Sequence, residues 1–475
     1  MLLSLLALPI RNQRKLHLLA LGSCFFYAAW DYRYLGLLLA VSVIDYYCAA
    51  RIAEAENQRT KKLLVLVSVL SNLGILAYFK YVNFFIENLN RLGVQLPHLD
   101  VLLPAGISFY TFKTMSYTID VYRGHIKPVR SLLDYTTFVT FFPELIAGPI
   151  VRASVFLPQM KRSIGLTRDR LALGGSIFLL GLTKKVLLAD RLASVADPVF
   201  AEPALSSTSA VWFGVIAYTL QIYCDFSGYS DMAIGTAKLI GYDLPQNFNL
   251  PYMSANITEF WRRWHITLST WLRDYLYIPL GGNRYGRLRT YVNLMLTMLL
   301  GGLWHGASWN FVLWGFLHGM ALAFHRFLRE RTGNRGLLPT VLAVPCTFVF
   351  VMVCWVPFRA TSFQITATIL RAMFVPTTGV RWMPTNLFQP LAIIVVGHLC
   401  GWLFTRASAQ SDGIRERVIA SLKQIGASLQ TNEISGWHVR LSLFPTAGAY
   451  IVFTWILLIF FFACTNTSPF IYFQF

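Results

Sequence analysis

The stretch Gly301-Gly302-Leu303-Trp304-His305-Gly306-Ala307-Ser308-Trp309-Asn310-Phe311 places a histidine between two apolar runs, where a membrane-spanning chain would normally carry hydrocarbon. The run from Leu288 to Leu303, at about 1.5 Å per helical residue, climbs most of the way through a hydrocarbon core of about 30 Å. It stops at Trp304-His305-Gly306 and resumes as an apolar return segment from Ala307 to Phe324. Both outer flanks are basic, with Arg284, Arg287 and Arg289 before the pair and Arg326, Arg329 and Arg331 after it, so the positive-inside bias puts both ends on the cytoplasmic side. The sequence therefore predicts a helical hairpin with His305 deep, near its turn. An ionisable side chain held inside a membrane protein marks a functional site, or else a packing histidine that bonds one backbone carbonyl; spacing alone leaves these two readings level.

Composition supports the membrane assignment. The chain is 55% hydrophobic and only 13% charged, with a mean hydropathy of +0.52. A soluble domain carries about 25% charged residues, so this chain has too few charges to cover a water-facing surface. Its 41 Lys and Arg against 22 Asp and Glu give +19, and these cations cluster between apolar runs. Anionic lipid and cytoplasmic orientation account for them better than nucleic acid does. Seven cysteines, Cys24, Cys48, Cys224, Cys346, Cys354, Cys400 and Cys464, lie mostly inside apolar runs without a CxxC pair, which implies neither a disulfide framework nor a zinc site.

Apolar spans are expected near 2–10, 16–30, 33–50, 63–86, 102–119, 132–150, 171–190, 210–224, 228–241, 290–303, 307–325, 338–358, 363–375, 389–405 and 443–464. Several are shorter than the roughly 17 residues a crossing helix needs, so some are re-entrant or interfacial. The first does not read as a signal peptide, because Arg11, Arg14 and Lys15 follow it and no small-residue cleavage site appears. Basic connectors at 51–62, 123–130, 152–170, 326–336 and 406–440 are expected to face the cytoplasm, and 87–101, 191–209 and 376–388 to face outward with both termini. Lys184 and Lys185 interrupt the 171–190 span and leave its depth open.

Between 242 and 290 the hydropathy falls. Phe260, Trp264, Leu268, Trp271, Leu272 and Tyr275 recur at helical spacing while Arg262, Arg263, Arg273 and Asp274 fill the other positions, which predicts an aromatic amphipathic helix over 259–279 carrying His265. Ser254, Asn256 and Thr258 are candidate N-caps. On pattern alone this helix is an interfacial anchor with its Trp and Tyr at headgroup level, and His265 is structural.

The segments EFWRRWHITLSTWLRDYLYIPLGGNR and GGLWHGASWNFVLWGFLHG resemble two blocks of the membrane-bound O-acyltransferase family, and the family's characteristic histidine maps to His305. LPAGISFYTF, FPELIAGPIVR, QIYCDFSGYSDMAIG and the ending PFIYFQF are most similar to the bacterial branch that O-acetylates exopolysaccharides. The resemblance runs from about residue 63 to the end, in the family's order; the first 60 residues agree only in hydropathy. His265 matches the family's second polar position, which varies between histidine and asparagine.

The resemblance implies an all-α polytopic membrane protein, one domain over 1–475, with about eleven transmembrane helices plus re-entrant or interfacial ones forming a ring around a central funnel. It implies acetyl transfer from a cytoplasmic donor, acetyl-CoA foremost, across a bacterial inner membrane to an exopolysaccharide, alginate first and cellulose next. No permanently bound cofactor or metal is implied. The expected partners are membrane lipids, the donor, the polymer and a periplasmic or membrane-anchored hydrolase-like protein that finishes the transfer. Acyl transfer needs a base near neutral pKa, and a buried imidazole stays neutral because desolvation disfavours its charged form, so His305 is the expected base. The oxyanion donor is His265, the Trp304 indole, or a backbone N–H at the Trp304–Gly306 break. Arg262, Arg263, Arg273 and Arg284 are candidates for donor phosphates, or else snorkelling lipid contacts.

Two other classes remain open. Asp225 and Asp231, which flank an apolar span, read as the acidic site of a secondary transporter, while Asp225 and Ser227 also fit N-cap chemistry at a helix start. A structural subunit of a polysaccharide export complex would tolerate loss of His305. Glu144, in FFPELIAGP, is an intramembrane acid without an assigned role.

Overall fold

The computed structural model describes residues 12–161, 167–333, 338–380, 385–410, 455–456 and 470. The expected spans 2–10 and most of 443–464, and the connector over 411–440, lie outside them. The chain divides into two compact units, Met1–Gly175 with Ala233–Pro245 and Ser176–Met232 with Gln246–Phe475.

The first unit opens with α1 (Asn12–Glu54), 43 residues long. At about 1.5 Å per residue that is about twice the thickness of a hydrocarbon core. Asp31, with φ −159° and ψ 115°, leaves helical space, so α1 is two helices meeting between the expected spans 16–30 and 33–50. The Arg33 guanidinium lies 2.6 Å from the Asp31 carboxylate at the break. Next, α2 (Gln58–Leu76) runs through a π-turn at Ala77–Tyr81 into α3 (Val82–Arg91). Leu63, Leu66, Leu70 and Leu73 make an exposed stripe on α2, whereas Ser68 and Asn72 are buried. This inverted sidedness suits lipid, where buried polar groups must find partners within the protein. Asp45 accepts hydrogen bonds from Ser68 at 2.5 Å and from Asn72 at 2.8 Å, and Asn72 accepts one from Thr114 on α4 (Ile107–Tyr122) at 2.7 Å.

Gly106, the N-cap of α4, has φ 72°, and a Cβ there would lie 2.3 Å from the Leu145 carbonyl oxygen, so conformation and space both demand glycine. The expected span 132–150 is broken at Phe141 into α5 (Leu132–Thr140) and α6 (Phe142–Leu145), followed by α7 (Ala153–Met160). Tyr117, Tyr135, Phe138, Phe141, Phe156 and Tyr242 form this unit's aromatic core, with Phe156 stacked on Tyr242 at 5.0 Å.

The long helix 169–201 leads into the second unit: α8 (Arg168–Thr183), a π-turn at Lys184–Ala189, and α9 (Asp190–Ala201). The next helix, α10 (Thr208–Ile240), corrects the sequence reading. It runs unbroken for 33 residues where two short spans and an Asp225/Ser227 N-cap are expected. Asp225 is buried in mid-helix because Lys185 lies 2.8 Å away, and Lys184 holds Asp231 at 2.6 Å. The helices cross with backbones nearly touching: a Cβ on Gly181 would lie 2.4 Å from the Gly228 oxygen.

Beyond α10 come α11 (Ile257–Arg263), α12 (Ile266–Leu272), α13 (Gly286–His305), α14 (Trp309–Thr332), α15 (Thr340–Arg359), α16 (Phe363–Phe374) and α17 (Thr385–Gln410). The hairpin of α13 and α14 is as expected, and glycines close it. A Cβ on Gly302 would lie 2.2 Å from the Phe311 oxygen, and one on Gly315 would lie 2.4 Å from the Met298 oxygen. Among the described residues there is no strand, only an isolated bridge between Ser206 and Val380. Among the described residues five helices, 14–54, 58–91, 169–201, 309–332 and 340–359, are long and apolar enough to cross a membrane. The protein is all-helical among its described residues and multi-pass.

Candidate active site

His305 is the last residue of α13 and is 4% exposed. Gly306 leaves the helix in extended conformation, and a Cβ on it would strike the Phe311 ring at 2.0 Å, so the turn admits no larger residue. Aromatic rings wall in the imidazole: Trp304 at 5.0 Å, Trp314 at 5.1 Å and Phe358 at 5.2 Å between centroids, all near edge-to-face. The His265 ring is 6.5 Å away, and His265 is 6.0 Å from Trp304. Two histidines 40 positions apart in sequence therefore share one aromatic cluster.

The way His265 reaches it differs from expectation. The amphipathic helix predicted over 259–279 is broken: α11 ends at Arg263, Trp264 is extended, and His265 stands in the left-handed region at φ 41° and ψ 55° before α12 begins. For a residue with a Cβ that conformation costs about 1–2 kcal/mol, and such strain concentrates at functional sites. The segment beside the break offsets the cost. Asn249 N–H donates to the Arg263 carbonyl at 2.9 Å, and Ile266 N–H to the Asn247 carbonyl at 3.0 Å. Of the three candidate caps, Asn256 caps α11, accepting from Glu259 N–H at 2.9 Å, while the Glu259 carboxylate accepts from Ala255 N–H at 2.9 Å.

Asn247 is the site residue that residue-type reasoning missed, since nothing in NFNLP separates it from its neighbours. Its Oδ1 meets His265 Nδ1 at 3.2 Å, Thr267 N–H at 3.2 Å and the Thr267 hydroxyl at 2.8 Å. Phe226 of α10 presses edge-on against His265 at 4.7 Å. Behind it lies Phe470, from the ending PFIYFQF, stacked on Tyr229 at 4.4 Å and 6.2 Å from Phe226.

Three of the four candidate arginines are bound within the protein. Arg263 is 2.8 Å from Glu259, and Arg273 is 2.6 Å from Asp274, a hydrogen bond that holds its guanidinium above its usual pKa. Arg284 donates to the Ile278 carbonyl at 3.1 Å. Arg262 is exposed and has no ion pair among the described residues. Asp225 and Asp231 are each bound to a lysine, as described above, and Glu144, in the first unit, pairs with Lys113.

Residues 23–366 match the model of the membrane-bound O-acyltransferase family. The chain belongs to that family. It is 42% identical to a probable alginate O-acetylase of Azotobacter vinelandii over 488 residues, covering 96% of this chain and 94% of the relative. It is 41% identical to a peptidoglycan O-acetyltransferase of Helicobacter pylori over 75% of this chain and 73% of that one. A more distant relative, the teichoic acid D-alanyltransferase of Bacillus subtilis, is 28% identical over 52% of this chain and 66% of its own. As a membrane-bound O-acyltransferase, the protein is an enzyme that moves acyl groups to oxygen.

Proposed function

We propose that this O-acyltransferase carries acetyl from a cytoplasmic donor, acetyl-CoA foremost, across a bacterial inner membrane for O-acetylation of an exopolysaccharide, alginate first and cellulose next. The observation that carries the reading is His305, buried at the turn of the α13–α14 hairpin and 6.5 Å from His265 in an aromatic cluster. The names of the relatives supply the acetyl group and the class of polymer. The full span count, about eleven over a single domain, belongs to the same reading.

In this scheme His305 takes the proton of an acceptor hydroxyl as its oxygen attacks the donor thioester carbonyl. The Trp304 indole N–H or a backbone N–H at the Trp304–Gly306 break stabilises the oxyanion, the carbon–sulfur bond breaks, and the His305 imidazolium returns the proton to the departing thiolate. Arg262, exposed and without an ion pair among the described residues, is the best placed of the four arginines for a donor phosphate, because Arg263, Arg273 and Arg284 are already bound within the protein.

The acceptor that reaches His305 is a side chain of an extracytoplasmic partner, which then acetylates the polymer. A thin side chain enters a narrow site more readily than a polysaccharide, and correct placement is worth several kcal/mol of barrier. Reconstitution in liposomes, with labelled donor inside and polymer outside, tests this. Acetylated polymer is expected only when the partner is present. Equal rates with and without it would mean that His305 serves the sugar hydroxyl directly, and solute movement without covalent transfer would indicate a transporter. The salt bridges at Asp225 and Asp231 count against that last reading.

A further inference from the structure

We propose that Asn247 is a positioning residue that fixes the tautomer of His265, so that His265 meets the reacting groups as a hydrogen-bond acceptor through Nε2 and not as the oxyanion donor. The inference rests on the acyl-transfer reading for its consequence but on hydrogen bonding for its origin. A backbone N–H can only donate. The side-chain atom of Asn247 that faces Thr267 N–H at 3.2 Å is therefore its oxygen, an assignment supported by the Thr267 hydroxyl at 2.8 Å. The same oxygen lies 3.2 Å from His265 Nδ1. An amide oxygen has no proton to give, so Nδ1 carries the hydrogen, and a neutral imidazole protonated at Nδ1 holds its basic lone pair on Nε2.

The backbone locks this arrangement in place. Ile266 N–H donates to the Asn247 carbonyl at 3.0 Å, so main chain and side chain of Asn247 both grip the left-handed break. On its other side, Asn247 Nδ2 approaches the Ser230 hydroxyl of α10 at 3.4 Å, which is where the amide's donor end belongs. The ring contacts of His265 include Phe226 from α10 and Trp304 and His305 from α13, and His305 is the titratable group among these three. Two nearby imidazoles would thus divide the work: His305 moves the proton, and His265 orients a hydroxyl or thiol by accepting its hydrogen bond. Oxyanion stabilisation then falls to Trp304 or to the backbone at the turn.

The test uses the full-length protein in liposomes. Asn247→Ala removes the acceptor and frees the tautomer; losing the partner that orients an imidazole typically costs about 10- to 100-fold, here expected in kcat with the KM for donor retained. Asn247→Asp keeps the acceptor but sets a carboxylate beside the imidazole, which favours imidazolium, so the acid limb of the pH–rate profile is expected to move up by about 1–3 units. Independently of activity, solid-state ¹⁵N spectra of histidine-labelled protein, with His265→Gln subtracted, are expected to show a neutral ring protonated at Nδ1 in the wild type and a changed pattern in Asn247→Ala. A wild-type ring protonated at Nε2 would overturn the proposal. So would Asn247 variants that lower only the yield of folded protein, with kcat and pH limb unmoved. A protein that transfers no acetyl while showing the Nδ1–H ring would overturn the acetyltransfer reading and leave the tautomer assignment standing.

Discussion

The Lys113–Glu144 pair of the first unit and the His265–His305 pair of the second both bury polar groups among aromatic rings, but their needs are met in opposite ways. Lys113 is bonded to Glu144 and to the Phe138 carbonyl, and its ammonium lies 4.3 Å from the centre of the Phe138 ring. Every charge there is answered by a neighbour. The histidine rings instead pack against Trp304, Trp314, Phe358 and Phe226. A closed ion pair spends its charge on holding helices together. Imidazoles, by contrast, are groups that can exchange protons near neutral pH.

That contrast is breakable. The largest effect is expected from His305→Ala: acetyl transfer falls by at least the ~10²–10⁴-fold that general-base catalysis supplies, while the protein still inserts and accumulates. Wild-type acetylation in that variant, measured on labelled polymer, would remove His305 from the chemistry. Next comes Lys113→Ala, which strands a buried carboxylate and is expected to cost about 3–5 kcal/mol of stability. Lys113→Met combined with Glu144→Leu should recover most of that loss. Thermal unfolding in detergent reads both, and a double variant as unstable as the single would give the pair a role beyond structure.

Substitutions at His265 sharpen the comparison further. His265→Ala is expected to be severe and His265→Asn milder, because asparagine still supplies a hydrogen-bonding group, although not a titrating one. Equal losses would show that the imidazole itself is required. The smallest effect on function is expected from single cysteines at Arg287 and Arg329 in a cysteine-free background, which test the hairpin's topology. Both positions are expected to resist an impermeant thiol reagent added from the periplasm. Labelling of one alone would mean that 290–325 crosses an odd number of times.

The hairpin was legible because its determinants are local. Two apolar runs, their basic flanks and Gly306 all fall within about 45 residues, and α13 and α14 end where the pattern changes. The same holds for the break in α1 at Asp31 and for the cap at Asn256. Family membership was legible in the same way, since the blocks that carry it are contiguous.

What only the tertiary structure decided is how distant segments override local pattern. Helical periodicity runs straight through 259–279, yet the chain breaks at His265, because Asn247 and Asn249 supply hydrogen bonds that offset a strained backbone costing only about 1–2 kcal/mol. Asp225 looks like a helix start in the sequence, yet α10 runs through it, because Lys185, forty residues earlier, neutralises its charge. Hydropathy and spacing fix where helices are affordable in a membrane. They are blind to a partner brought in by folding, so the sequence by itself determined the family, the apolar helices and the hairpin whose first helix ends at His305, whereas the break at His265 and its contact with Asn247 emerged only when distant segments came within hydrogen-bonding distance.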